Sequence, residues 1–562
     1  MYEMNRAHQG RLAIRSFQVM AHALLLRGRY RMGGQSGQAL ESSLRTLSPE
    51  IYGSMNEPTR IELKGLEYII DRLPKGIENC NRFVMTVEAD LDGTSFEKLI
   101  PPKRRRASYR ISENEMSFVV TTGLSEIYDI LTHLTFLYIE AKHIYNKTRD
   151  EAGVPIREWQ QLEKDLGREM ELSGTELEKA IWNLSIILGR TYHETREAYD
   201  YFEETKDRLK SNNGLFRIVY GLGCLIDREI TENDCLIVHF RPSLIDQIMH
   251  QTCGKKWAAT AKDKLCELGL EARPLHIISA NLHSVVNLIY GYHAVIPAEK
   301  RQCDRNLYDF ILDILDKGEQ IRTLAGKHGF WEIEDRSGAQ TNIQIIDTSE
   351  LNAIDFHPGI KISNSLLLNQ KPVLLIMDYA FGFQAFELMD ELLQPWERDG
   401  VTRTLNVQSI SVMGKAGILP GEKGDIMLAT AHVLEGRADN YILNNDLRKE
   451  DFDDSANIYE GPIITVLGTS LQNRDILEMF HTTTWKAVGL EMEGGHYQRA
   501  IGAAIIRGHI PKDVQVRYAY YASDNPIRSG QTLAAGPMGI EGIRPTYMIT
   551  KVILEKIFHS PV

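Results

Sequence analysis

The sequence has few cysteines and no long apolar run. Only 6 of its 562 residues are cysteines, none lies beyond Cys303, and no two have the C-x-x-C spacing. A chain of this length can bury a large core without disulfides, so this usage is typical of a reducing cytoplasm. It also excludes a thiol nucleophile from the C-terminal part. The richest apolar stretch, 275–296, is interrupted by His283 and Asn287, and the N-terminus lacks a signal pattern, so we expect neither secretion nor membrane insertion.

An excess of positive charge is also absent. The chain carries 64 Lys and Arg against 76 Asp and Glu, a formal net charge of -12. This charge argues against a nucleic-acid partner and favours a small-molecule ligand. One compact basic run, Lys-Arg-Arg-Arg at 103–106, follows two prolines. It could hold a phosphate or nucleotide effector, but short charge runs are usually solvated surface, and we favour that interpretation.

The chain is longer than the domains that usually form around a single hydrophobic core, so we expect two domains. Residues 1–340 are predicted to be mainly helical, because apolar side chains recur there at three- and four-residue steps. Ile127, Ile130 and Leu131 begin one such stripe. Thr175 and Glu178 have capping-box spacing before a second apolar stripe. A third helix is predicted over 307–324. Residues 235–240 have the composition of a strand.

From residue 341 the pattern changes to short β-branched runs that alternate with helical patterns, which predicts an α/β domain over 341–562. The predicted strands are 342–346, 373–377, 407–412, 425–429, 463–467, 487–490 and 514–522, and the predicted helices are 384–393, 474–480, 495–508 and 546–558.

Two glycine-containing turns fail as cofactor motifs. Residues 373–385 read as strand, turn and helix, but Gly382 is the only glycine where a dinucleotide fingerprint needs three. The segment 413–417 lacks the first glycine of a phosphate loop and has Ala416 in place of its Ser or Thr. We therefore expect no nicotinamide, no other cofactor and no metal ion.

Carboxylates stand at the ends of two predicted strands. Glu491 and Glu493 lie at a strand-to-helix junction, where the helix dipole alone would favour a glutamate. Asp524 precedes Asn525 and Pro526, a composition that is equally typical of a turn. Taken singly, neither position distinguishes chemistry from structure.

The order of the motifs is more specific. Segments 414–419, 423–426, 468–470, 488–493 and 521–526 together resemble the nucleoside phosphorylase/nucleosidase superfamily in order and spacing, over about 372–525. The Ser-Asp-Asn-Pro turn at 523–526 is similar to that of the AMP nucleosidases, which also carry an extra N-terminal domain. The resemblance implies an α/β/α catalytic domain with a central mixed sheet at 341–562. It leaves the role of 1–340 unassigned, with regulation as one option.

The resemblance also implies roles for the carboxylates. A glutamate in the position of Glu493 accepts hydrogen bonds from ribose hydroxyls, and Met492 packs on the sugar. An aspartate in the position of Asp524 donates a proton to purine N7, which requires a raised pKa. The remaining expected substrate-binding residues are Glu491, Ser523, Gly414, Lys415, Ala416, Thr469 and Ser470.

The nucleophile is less clearly indicated. Phosphorylases of the superfamily usually carry an arginine just before the glycine turn, whereas 411–414 has none, and this favours water over phosphate. Lys415 could bind a substrate phosphate or block the usual site. Arg528 and Arg403 are alternative phosphate ligands or surface charges.

The leading hypothesis is hydrolysis of the N-glycosidic bond of a purine nucleoside or nucleotide. Phosphorolysis in the same pocket is the alternative, and a catalytically silent nucleotide sensor is a third possibility. The resemblance implies a homo-oligomer whose partners are small purine ligands and, for phosphorolysis, phosphate. Nucleic acid and membrane are not expected as partners.

Overall fold

The structure is a computed structural model that describes residues 5–104, 106–167, 172–297, 306–362, 367, 369–528 and 538–559. The chain divides into two compact units. The first comprises residues 1–250 and 470–476, and the second comprises residues 251–469 and 477–562. Arg105 of the basic run lies outside the described residues.

The first unit contains a mixed sheet as well as helices. Its strands are β1 (Arg29–Arg31), β2 (Arg82–Thr86), β3 (Glu97–Leu99), β4 (Ser108–Arg110), β5 (Glu115–Val119) and β6 (Ile237–Phe240). They are ordered β1-β6-β2-β5-β4-β3, with β2 parallel to both β5 and β6. Of these strands only β6 falls in a run with predicted strand composition. The others were missed because three to five residues are too few for a periodic signal.

Helices make up most of the rest of the first unit. They are α1 (Arg6–Arg27), α2 (Gln35–Leu47), α3 (Leu63–Ile70), α4 (Leu124–Lys147), α5 (Arg157–Leu166), α6 (Gly174–Leu188), α7 (Tyr192–Leu209), α8 (Leu215–Thr231) and α9 (Pro242–His250). The stripe that begins with Ile127 is buried in α4, as predicted. The capping box predicted at Thr175 is wrong, because the N-cap of α6 is Ser173 and Glu178 instead bonds Tyr192 and Arg196.

The second unit is built around one large sheet. Its strands are β7 (Leu275–Ser279), β8 (Phe330–Ile333), β9 (Ile343–Asp347), β10 (Val373–Met377), β11 (Trp396–Arg398), β12 (Val401–Arg403), β13 (Val407–Ile418), β14 (Ile426–Leu434), β15 (Asn440–Ile442), β16 (Ile458–Thr465), β17 (Gly489–Glu491) and β18 (Gln515–Asp524). The order is β15-β14-β16-β17-β13-β7-β10-β9-β8, β18 pairs with both β13 and β14, and β11 and β12 form a separate hairpin.

Helices of the second unit cover both faces of this sheet. They are α10 (Thr252–Glu267), α11 (Leu282–Val295), α12 (Leu307–Asp313), α13 (Gly318–Ala325), α14 (Gln384–Leu393), α15 (Arg474–Thr482), α16 (Gly494–Arg507) and α17 (Ile543–His559). The first three residues of α15 are counted with the first unit. One core joins the sheet to α10, α14 and α16, and the other joins it to α11, α12, α13 and α17. The helix predicted over 307–324 is two helices separated by a short 3₁₀ turn at Leu315–Lys317.

The division between the units lies at residue 250, whereas the change in pattern suggested one near 340. The reason is β7, which lies between β10 and β13 and is parallel to both. Its hydrogen bonds bring residues 251–340 into the same sheet as the C-terminal strands. No helix of the described residues is both long enough and apolar enough to cross a bilayer.

Four parallel strands end at one edge of the large sheet. Strands β7 and β10 are parallel, and so are β7 and β13, and β13 and β18. Their carboxyl ends therefore meet at one edge of the sheet, where open α/β sheets hold their ligands. The predicted motif residues Gly414 and Asp524 both lie at this edge.

Candidate active site

Three strands meet at Gly417, near the carboxyl end of β13. Gly417 pairs with Leu490 of antiparallel β17 on one side and with Asp524 of parallel β18 on the other. The register between β13 and β18 shifts at this point, so that Ser523 is skipped and Asp524 lies opposite Gly417. A Cβ atom at residue 417 would lie 2.9 Å from Leu490 Cδ2, so a glycine permits the close approach. The Glu-Met-Glu and Ser-Asp motifs therefore converge on one residue.

The Asp524 carboxyl is buried, and only one of its two oxygens has a hydrogen-bond partner among the described residues. Its Oδ1 accepts a hydrogen bond from the Ser523 hydroxyl, whereas the buried Oδ2 has no hydrogen-bond partner in the part of the chain that the structure describes. Burial raises the pKa of Asp524 above its ordinary value, although the Ser523 hydrogen bond and the charge of Lys415 act against the shift. A carboxyl with a raised pKa and a free oxygen can hold a proton and donate it.

The residues of β13 beside Asp524 differ in exposure. Ala416 is buried, and its carbonyl accepts a hydrogen bond from Ser523 Oγ at 3.2 Å. Gly414 is half-buried. Lys415 is exposed and makes no hydrogen bond or ion pair with any residue that the structure describes, while its charge acts on the pKa of Asp524. The site thus has an exposed cation whose charge acts on Asp524.

The Glu491 carboxylate holds the start of α16. Its Oε2 accepts hydrogen bonds from the amides of Glu493, at 2.5 Å, and of Gly494, and its Oε1 accepts one from Thr465 Oγ1 at 2.6 Å. Burial alone would raise the pKa of Glu491, but the His432 imidazole, 3.5 Å from Oε1, and these hydrogen bonds lower it. The structure therefore gives Glu491 a capping role at the helix N-terminus, where a negative charge is favoured.

Two glycines let α16 approach the strands closely. A Cβ at Gly494 would lie 2.2 Å from both His432 Cε1 and the Tyr520 hydroxyl, and a Cβ at Gly495 would lie 2.6 Å from Thr465 Oγ1. The Tyr520 hydroxyl is buried and has no hydrogen-bond partner among the described residues. This contact fixes the direction in which the chain leaves β17 and enters the helix.

Glu493 is the N-cap residue of α16 and is partly exposed. Its Oε1 accepts a hydrogen bond from the Gly382 amide at 2.9 Å, and its Oε2 accepts one from the Met492 amide at 3.3 Å. Burial and, after it, the negative charge of Glu491 raise the pKa of Glu493 to about 8. The turn after β10, which contains Gly382, thus belongs to the same site as the Glu-Met-Glu motif, and Met492 is buried beside it.

The other predicted site residues are less central. Thr469 is half-buried in a short 3₁₀ turn after β16, and Ser470 is buried and groups with the first unit. Arg528 forms an ion pair with Glu422, with an N–O distance of 3.0 Å. Arg403 likewise pairs with Glu271, at 2.6 Å. Both arginines therefore already have carboxylate partners.

Several residues of the site were not predicted from the sequence. His432 and Thr465 each lie within a strand and look like ordinary core positions, and Tyr520 is one of three tyrosines within four residues of β18. Gly417 was part of a rejected phosphate-loop pattern. No local signal identifies these residues, because their role depends on strand pairing. Among the described residues, no group of three or more His, Cys, Asp or Glu side chains is arranged to hold a metal ion.

Solved structures that resemble about half of this chain include a nucleosidase, a hydrolase and a phosphorylase. The 5'-methylthioadenosine/S-adenosyl homocysteine nucleosidase of Campylobacter jejuni is 12% identical, and the match covers 51% of this chain and 100% of the nucleosidase, with a TM-score of 0.31. The futalosine hydrolase of Helicobacter pylori is 11% identical, and the match covers 51% of this chain and 99% of the hydrolase, with a TM-score of 0.30. Uridine phosphorylase isoform 2 of Schistosoma mansoni matches with 9% identity, 51% and 88% coverage, and a TM-score of 0.28.

No curated protein sequence matches the chain. A family match, in contrast, covers most of it, over residues 38–302 and 313–559, and therefore includes parts of both units. The chain belongs to the family of unknown function DUF6909.

Proposed function

We propose that the second unit cleaves the N-glycosidic bond of a purine nucleoside or nucleotide, with Asp524 as the proton donor to purine N7. The observation that carries the proposal is the buried Oδ2 of Asp524, which has no partner among the described residues and belongs to a carboxyl with a raised pKa. A purine leaves poorly as an anion, so protonation at N7 by such a carboxyl lowers the barrier.

Glu493 is proposed to bind the ribose hydroxyls. The amides of Gly382 and Met492 already fix its orientation, and its partial exposure leaves room for a ligand. Cleavage of the bond gives the sugar oxocarbenium character, and a carboxylate on the hydroxyls holds the ring and stabilises the positive charge. Because hydroxyl donors favour the ionised form, we expect ligand binding to lower the pKa of Glu493 from about 8.

Lys415 favours a substrate that carries a phosphate. Its ammonium group is exposed, has no ion-pair partner among the described residues and lies close enough to Asp524 to affect its pKa. A compact ammonium group suits a phosphate as a point charge. Together with the absence of an arginine at 411–413, where the side chains are buried in β13, this supports hydrolysis of a nucleoside monophosphate such as AMP.

Phosphorolysis is the alternative, because the same Lys415 ammonium could receive inorganic phosphate. The test is to incubate the protein with AMP, adenosine or inosine, with and without phosphate, and to identify the base and sugar products by chromatography. Hydrolysis predicts free base and ribose 5-phosphate from AMP without added phosphate. Base release that requires phosphate and yields a sugar 1-phosphate would support phosphorolysis. Tight binding of nucleotide without base release from any substrate would contradict both and favour a sensor.

A further inference from the structure

The first unit holds a buried cluster of basic side chains that has no part in the proposed reaction. Arg104 donates to Asp129 from Nε at 3.1 Å and from Nη2 at 3.2 Å. Arg106 donates from Nη2 to Asp129 at 2.8 Å and from Nε to Glu126 at 2.8 Å. Two residues of the basic run at 103–106 are thus drawn onto α4, and Arg106 is only 5% exposed. The expectation of a solvated loop is wrong for these two side chains.

Arg72 has no carboxylate partner in the same cluster. It is 5% exposed, follows α3 and stacks its guanidinium 3.5 Å from the centroid of the Tyr68 ring. Its Nη1 donates to the Tyr68 carbonyl at 2.7 Å. No ion pair joins it to any residue that the structure describes. The charges of Asp71 and Asp129 act on Arg72 without a direct ion pair. An anion in contact with the buried guanidinium would therefore stabilise it further.

Several buried nitrogen atoms of the cluster lack hydrogen-bond partners among the described residues. They are Arg72 Nε, Arg106 Nη1 and both ring nitrogens of His133. His133 is fully buried on α4, with its Nε2 3.5 Å from Asp129 Oδ1. Burial, and then the charges of Arg104, Arg106 and Arg72, lower its pKa to about 3, although the charge of Asp129 acts against the shift. The neutral ring keeps one N–H to donate. Buried donors are rarely left unpaired, so these atoms call for an acceptor.

The charges of the cluster do not balance. Its four cations are Arg72, Lys103, Arg104 and Arg106, and the carboxylates that pair with them are Asp71, Glu126 and Asp129. One positive charge is therefore in excess. The cluster is also accessible, because the side chains of Lys103 and Arg104 are 52% and 23% exposed. An acceptor that enters from this side would meet the guanidinium groups, which suit oxyanion geometry.

We propose that the first unit binds one tetrahedral oxyanion, a phosphate group, through Arg72 and Arg106, with Arg104 and His133 beside it. The phosphate group can be free inorganic phosphate or part of a sugar phosphate or nucleotide. The site is independent of the reaction proposed for the second unit, because it uses only residues of the first.

Calorimetric titration of the full-length Lys415→Met protein with inorganic phosphate tests the proposal. The substitution removes the ammonium group that we propose to bind phosphate in the second unit, so that only the site of the first unit is measured. We expect one bound phosphate per chain and competition by sulfate. The Arg72→Met variant in the same background should bind phosphate about 10- to 100-fold more weakly, the expected loss for a charge-assisted contact. The matched control is Arg208→Met, at an exposed position on α7, which should bind phosphate unchanged.

A parallel titration with ribose 5-phosphate separates the two sources of the phosphate group. Tighter binding of the sugar phosphate would indicate a larger ligand, and binding of inorganic phosphate alone would indicate the free ion. If Arg72→Met does not fold, Arg72→Lys keeps the charge but removes Nε, and should still weaken binding about fivefold or more. Absence of any phosphate or sugar phosphate binding, or equal binding by the Arg72 and Arg208 variants, would overturn the proposal.

Discussion

Asp524 ends β18 directly opposite Gly417 of β13, at the point where the register between the two strands shifts. On its other side Gly417 pairs with Leu490, the residue before Glu491. One glycine therefore brings together two motifs that are separated by about thirty residues in the chain. The hydrogen bonds of Glu491 go to the amides at the start of α16, so we propose that Asp524 and Glu493, and not Glu491, contact the ligand.

The first prediction concerns the glycine at the start of α16. Gly494→Ala should destabilise the protein by about 1–3 kcal/mol or more, because the added Cβ would lie 2.2 Å from both His432 Cε1 and the Tyr520 hydroxyl. The control is Gly502→Ala in the same helix, where a Cβ meets nothing within 4 Å. That change should stabilise the helix by about 0.5–1 kcal/mol. Chemical denaturation measures both, and equal effects of the two substitutions would contradict the close packing at Gly494.

The second prediction concerns Lys415. Lys415→Met should raise the KM for AMP about tenfold and leave adenosine nearly unaffected, because an exposed ammonium contributes a moderate, screened attraction to a phosphate. The charge of Lys415 also lowers the pKa of Asp524, so the alkaline limb of the pH–rate profile should move to higher pH in the variant. An identical change in KM for both substrates would count against phosphate binding by Lys415.

The third prediction concerns the pH dependence of stability. The pKa of Glu493 is raised from 4.5 to about 8, so the folded protein keeps a proton that the unfolded chain loses above pH 4.5. This stabilisation is complete below pH 4.5 and is lost as the pH rises through 8. The free energy of unfolding of the wild type relative to Glu493→Gln should therefore fall over this window, by up to about 5 kcal/mol. Glu397→Gln, at an exposed position, should parallel the wild type, and a parallel Glu493→Gln curve would contradict the raised pKa.

Much of the second unit was predictable because its signals are local. The apolar run Val373–Met377 and the amphipathic helix Gln384–Leu393 have the predicted bounds. Strand β13 continues beyond its predicted end at Val412 to Ile418, because Gly414 and its neighbours pair with β18 and need no strand propensity of their own. The residues of β7 fall in 1–340, which the sequence predicts as mainly helical, and no local signal reveals that this strand lies between β10 and β13.

The candidate site was predictable only in outline. The order of the motifs indicates Glu493 and Asp524, and the roles given to these two residues stay predictions. The cap formed by Glu491 was not predictable, because it depends on where α16 begins relative to β17. The arginine cluster of the first unit was hidden for a similar reason. Arg72 is about thirty residues from the basic run, and only the fold brings it to Arg104.

The most direct test of the account is base release by the Asp524→Asn variant, compared with the wild type and with Asp513→Asn as an exposed control. If Asp524 is the proton donor, the variant should bind AMP in calorimetry but release adenine about 10²- to 10⁴-fold more slowly, the usual range for loss of a general acid. The control should match the wild type in both. Wild-type rates in Asp524→Asn, or no base release from any purine substrate by the wild type, would contradict the account.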